Sequence, residues 1–165
     1  MTNLFLLKLN RTTFLLSGIG LSLSILIISA FLIPNLESLD SAVSYSTIPD
    51  IAEAFIKGVI FAPLFETLLF QSFIYWLTNK LIKAEHIKEF VFLLISSIAF
   101  GLSHYYSIHY IFYTTILGFI LSYYYITSIK RKESALRNVL IIHASFNFIL
   151  FTGGVIFYLI DNNHI

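Results

Sequence analysis

The sequence predicts an all-α membrane protein: a polytopic bundle of about five transmembrane helices, folded as one domain over residues 1–165. Three observations carry this. The 165 residues are 58% hydrophobic and only 12% charged, with a mean hydropathy of +0.85. A soluble domain of this size has too little interior to hide that much apolar surface, so its solvent must be lipid. Long runs almost free of charge recur along the chain, each able as a helix to cross a hydrocarbon core of ~30 Å. The basic residues, finally, fall on alternate connectors. A net charge of +1 with no basic patch beyond the membrane flanks argues against a nucleic-acid partner. The absence of cysteine excludes disulfides, thiolate metal sites and cysteine nucleophiles.

The first span is predicted over Thr12–Ile33, behind Lys8 and Arg11. It exceeds a signal-peptide core of about 7–15 residues and no A-x-A site follows, so a retained N-terminal anchor helix is expected. Gly18/Ser22 and Gly20/Ser24 are small-xxx-small pairs that let neighbouring backbones approach. Pro34 ends the helix, and a loop carrying Glu37, Asp40 and Asp50 follows. The second span runs from about Ala54 to Asn79, and in its core Glu66 is the only formally chargeable residue apart from Tyr75. Pro63 removes one backbone hydrogen bond, which in an α-helix frees the carbonyl near Val59 and predicts a kink beside Glu66. Asn79–Glu89 is a charged connector. Phe90–Ile129 is long enough for two spans with a tight turn near Ser107. Tyr105, Tyr106 and Tyr110 suit one interface, and Tyr123, Tyr124 and Tyr125 the other. Lys130–Arg137 is the last connector and Asn138–Ile160 the fifth span.

With the N-terminus in the cytoplasm, nine of the ten Lys and Arg residues fall inside, Lys57 being the exception. The acidic loop and Asp161 then lie outside. A multi-pass protein of a prokaryotic cytoplasmic membrane is the expected location.

Four polar residues interrupt otherwise apolar spans: Glu66 on the second, His104 on the third, and His143 with Asn147 on the fifth. Any one alone is more often interhelical glue worth about 0.6 kcal/mol. An intramembrane carboxylate is a functional hypothesis by default, and all four together predict one shared site. His143 and Asn147, at i and i+4, share a helical face, and Phe100 at the same spacing wedges a ring under His104. Amide hydrolysis needs a base for water, a proton donor for the leaving amine and donors for the oxyanion. Glu66 with one histidine can supply the first two, and the second histidine with Asn147 the third. Depth counting places His104 and His143 about 15 Å apart along the normal in upright helices. His86, His109 and His164 are given no role.

Phe65-Glu-Thr-Leu-Leu-Phe-Gln71, Phe100-Gly-Leu-Ser-His104 and His143-Ala-Ser-Phe-Asn147 together resemble the motifs of the CAAX-protease and bacteriocin-processing family, also called Abi. Those motifs run E-E-x-x-x-R, F-x-x-x-H and H-x-x-x-N, and the resemblance spans roughly Pro63–Leu150. It implies an intramembrane endopeptidase acting on a membrane-associated peptide or protein. Some relatives remove the last three residues of prenylated proteins, and others process or confer immunity to bacteriocins. Glu66, His104, His143 and Asn147 match the motif positions. Thr67 stands where the pattern has a second glutamate and Gln71 where it has arginine. The first change removes a possible metal ligand or proton relay, and the second a positive charge. Two mechanisms remain open. Glu66, His104 and His143 could hold zinc with water as fourth ligand. Alternatively Glu66 and His104 activate water without metal, which the absence of H-E-x-x-H and the nearness of Asn147 to His143 favour. The rivals are a catalytically silent bacteriocin-immunity or partner-binding protein and, behind it, a proton or ion pathway.

Overall fold

The structure, a computed structural model, describes residues 4–32 and 48–161. Pro34, Glu37, Asp40 and His164 lie outside the described residues. Among those described, the protein is all-α. A short α1 (Leu4–Lys8) leads into α2 (Arg11–Leu32), whose start is capped by Asn10, its Oδ1 accepting from the Thr13 amide at 2.8 Å. A second rod covers residues 48–81 without a break in helical backbone. It comprises α3 (Ile48–Ala54), a π-helical segment π1 (Phe55–Phe61), α4 (Ala62–Glu66), a second segment π2 (Thr67–Phe73) and α5 (Ile74–Leu81). Then come α6 (Glu85–Leu102), α7 (Ile108–Lys130) and α8 (Ala135–Asp161). Among the described residues three single helices, α2, α7 and α8, are long and apolar enough to cross a membrane. The rod of residues 48–81 is long enough but divided by its π segments, and α6 opens on a charged turn. The chain turns at Ser107, where the sequence places a turn, and Ser107 Oγ caps α7 by accepting from the Tyr110 amide at 3.1 Å.

The interior is not marked by greasy side chains alone. Phe61, Phe65, Leu69, Phe90, Phe112 and Phe157 are exposed, as lipid-facing residues must be. Buried positions include Ser22, Ser96, Thr114, Ser122, Thr127 and Ser128 beside Phe14, Phe92, Phe100 and Val139. Such small polar residues let helices approach and bond across the contact. Ser96 shows this: its hydroxyl lies 2.7 Å from the Phe70 carbonyl and 2.6 Å from Ser122 Oγ, joining the rod, α6 and α7.

Central α7 packs against α2, α6 and α8. Of the two small-xxx-small pairs in α2, one is an interface and one is not. A Cβ on Gly18 would come within 2.6 Å of Ile142 and 3.1 Å of Tyr124, and Ser22 is buried, whereas nothing lies within 4 Å of a Cβ on Gly20. The first helix is therefore part of the core. Tyr124 and Tyr125 are core residues too, not an interfacial belt. Tyr124 Oη is 2.8 Å from Ser17 Oγ, and Tyr125 packs on Tyr75 and Phe92. Tyr105 and Tyr106 are exposed, as at an interface. At the other end, in the α7–α8 turn, Arg131 pairs with Glu133 at 2.7 Å, donates to the Leu6 carbonyl and covers the Phe14 ring. Glu133 in turn accepts from Asn138. His109 lines a groove of about 380 Å³ between α2 and α7, which none of Glu66, His104, His143 or Asn147 lines.

Candidate active site

Three helices bring their polar residues to one point. Glu66 is the last residue of α4, between the two π segments. His104 follows the end of α6, and His143 lies two turns into α8. The Glu66 Oε1 atom is 3.9 Å from His104 Nε2, and Oε2 is 3.5 Å from His143 Nε2. One carboxylate thus faces two imidazoles, an oxygen to each. The separation implied by upright helices is not found, since both imidazoles lie within 4 Å of one carboxylate, and Phe100 packs between them. Its ring lies 4.7 Å from the His104 ring and 5.7 Å from the His143 ring, so α6 meets His143 one turn below His104.

The hydrogen bonds assign the protons on His104. Its Nδ1 is 2.7 Å from the Phe100 carbonyl, which can only accept, so Nδ1–H donates. Ser103 Oγ lies 3.0 Å from the same nitrogen and donates to the same carbonyl at 2.7 Å. In the neutral imidazole, Nε2 then carries the lone pair and points at Glu66. On the other histidine, Nδ1 is 3.5 Å from the buried Thr67 hydroxyl. A hydroxyl donated there leaves the proton on Nε2, facing Glu66.

Asn147 is held differently. Its Nδ2 donates to the backbone carbonyl of Gly58 at 2.8 Å, about two turns before Glu66 on the same rod. The structure brings Glu66, His104 and His143 together, while Asn147 bonds the backbone of the helix that carries Glu66. Gln71 is fully buried and neither carboxamide atom has a hydrogen-bond partner among the described residues, so no bond there lets it stand in for an arginine on Glu66.

Two contacts were not legible beforehand. Thr67 was visible only as a missing carboxylate, although a β-hydroxyl next to Glu66 is a fair signal of a histidine partner. The Gly58 carbonyl gives no side-chain signal at all. Each imidazole faces its own carboxylate oxygen, and among the described residues no three His, Cys, Asp or Glu side chains form a metal-holding group.

A family model described as type II CAAX prenyl endopeptidase Rce1-like matches residues 49–149, more than half of the chain. The match covers Glu66, His104, His143 and Asn147. No curated protein and no solved structure matches.

Proposed function

The chain belongs to the Rce1-like family of type II CAAX prenyl endopeptidases, and from that premise we propose a metal-independent intramembrane endopeptidase in which Glu66 and His104 activate water. The observation that supports this most is the carboxylate held between two imidazoles, 3.9 Å from one and 3.5 Å from the other. Glu66 Oε1 and His104 Nε2 are both acceptors and too far apart to bond directly. A water donating one hydrogen to each turns its lone pair outward, toward a substrate carbonyl. As that oxygen adds to the carbonyl carbon, its proton passes to Glu66. The proton then moves by way of His104 to the leaving nitrogen, and the C–N bond breaks. His143, with a proton on Nε2, donates to the oxyanion. The substrate is a membrane-associated peptide or protein, and the N-terminus is cytoplasmic.

The rival is a catalytically silent immunity or partner-binding protein. The unpartnered Gln71 and the lost second carboxylate favour it. Glu66→Gln decides between them, because it preserves shape and removes the base. With a prenylated peptide ending in C-a-a-X, cleavage by reconstituted protein should fall by roughly 10²-fold or more with the fold intact. Wild-type cleavage should survive exhaustive chelation. Full cleavage by Glu66→Gln refutes the assignment, and loss on chelation restored by zinc refutes the metal-independent route.

A further inference from the structure

We propose that Asn147 is a positioning residue, capping a backbone carbonyl at Gly58 that the helix carrying Glu66 cannot satisfy itself, and so fixing the register that aims Glu66 at its histidines. In π1 the Ala62 amide donates to the Lys57 carbonyl, five residues back. In an α-helix that same amide would serve Gly58 instead, so Gly58 loses its i+4 donor. The i+5 donor that π bonding would offer is residue 63, and Pro63 has no N–H. With the Ala62 amide committed to Lys57 and no N–H on Pro63, Gly58 is orphaned in the π register that the rod adopts here. A bare carbonyl within a span is strongly unfavourable, because lipid offers no donor. The Asn147 Nδ2 atom supplies one at 2.8 Å. Since the acceptor is a carbonyl, the nitrogen of the carboxamide must face it.

The consequence reaches Glu66 through helix geometry. Each residue turns an α-helix by about 100°, so a one-residue slip between π and α bonding at Gly58 rotates everything beyond it by about that much. Glu66, eight residues on, would turn away from the histidines. Helix α8 thus grips the rod twice with one face: Asn147 at Gly58, and His143 at Glu66 and Thr67. That bond uses one of the two N–H groups of the carboxamide.

The inference rests on the hydrolase reading only for its effect on turnover, and a readout independent of turnover tests it. The rate at which a hydrophobic carbodiimide labels Glu66 in purified full-length protein, read by mass spectrometry well below the unfolding midpoint, reports how that carboxyl is held. Asn147→Ala should change the rate by about fivefold, the population shift from losing one hydrogen bond of ordinary strength. Pro63→Ala returns an N–H to the orphaned stretch, so adding Asn147→Ala in that background should change the rate little. Gly58→Ala, whose Cβ would meet nothing within 4 Å, is a control expected to match the wild type. Should Asn147→Ala fail to fold, Asn147→Asp, isosteric but facing carbonyl with carboxylate, takes its place in the same cycle. An unchanged rate in the single variant, or an equal change in both backgrounds, overturns the proposal. On the prenylated peptide, kcat should fall for Asn147→Ala with KM held, and Pro63→Ala should lessen that fall. If the wild type cleaves nothing, the hydrolase reading suffers while the labelling cycle still decides the role of Asn147.

Discussion

Replacing Gly101 and Gly20 by alanine should move stability in opposite directions, although both glycines lie in apolar helices. Taking glycine out of a helix is worth about 0.5–1 kcal/mol in backbone entropy. At Gly20 nothing opposes that gain, since a Cβ would meet no atom within 4 Å. At Gly101 the Cβ would fall 1.9 Å from Thr115 Oγ1 and 2.9 Å from the Ile111 carbonyl oxygen. Turning the threonine would relieve the first contact, at the expense of its 2.7 Å bond to Ile111. The second contact is backbone, so α6 and α7 must separate. Overpacking of that kind costs about 1–3 kcal/mol, and with backbone in the way the upper part of that range applies, leaving a net loss of about 1–2.5 kcal/mol. For a chain of this size each kcal/mol shifts the midpoint by roughly 2–4 °C. Thermal melts of both variants in one detergent, followed by circular dichroism, should show Gly20→Ala a few degrees above the wild type and Gly101→Ala several degrees below. Because His104 is three residues beyond Gly101, the second variant should also lose Glu66–His104 proximity and activity. A Gly101→Ala protein as stable as the wild type would refute the close α6–α7 crossing.

Two further outcomes follow from the connectors. Burial of Glu133 disfavours its charge, but hydrogen bonds from Arg131 and Asn138 and the charges of Arg131 and Arg11 outweigh that, leaving its pKa below the ordinary carboxylate value. A carboxylate depressed on folding stabilises the protein above its unfolded value of about 4.3 and loses that contribution as pH falls through the lower folded one. Glu133→Gln should therefore melt lower than the wild type at neutral pH, with the gap closing below about pH 4.3; a gap that persists in acid would show that charge is not the cause. From the distribution of basic residues, a reporter after Lys132 should be cytoplasmic and one near Asp40 external, and reversed labelling at both sites would overturn the orientation.

The helical rods were legible because lipid leaves only one reading for a long uncharged run: backbone groups must bond within the segment. What lay between rods was less so. In a soluble protein hydrophobicity separates inside from outside, but here both faces of a span are apolar. Tyr124 and Tyr125 consequently read as an interfacial belt while they are core residues, and small polar residues such as Ser96, Thr114, Ser122, Thr127 and Ser128 share that interior with them. The convergence of Glu66, His104 and His143 was readable because isolated polar groups in lipid must find one another. Pro63 signalled an irregular helix but not its form. In an α-helix the freed carbonyl is that of Val59; π bonding moves the defect to Gly58, and no side-chain pattern announces that shift.

The exposure of the three converging side chains assigns an open and a closed end to the site. Glu66 is 23% exposed, His104 17% and His143 only 3%. Among the described residues the cluster opens beside Glu66 and the α6–α7 turn that carries His104, and on the proposed mechanism water and a peptide enter there. The nucleophile on the proposed mechanism must arrive from bulk and be replaced each turnover, so its activating pair belongs at that end. An oxyanion donor has the opposite need. Its hydrogen bond is strongest where water is excluded and its ring is already fixed, so that nothing reorganises as charge develops. His143 meets both conditions, closed off from solvent and held between Glu66, the Thr67 hydroxyl and the Phe100 ring. Exchanging the two roles would put the water-activating base behind the carboxylate and the oxyanion donor in solvent, and the order of burial argues against it.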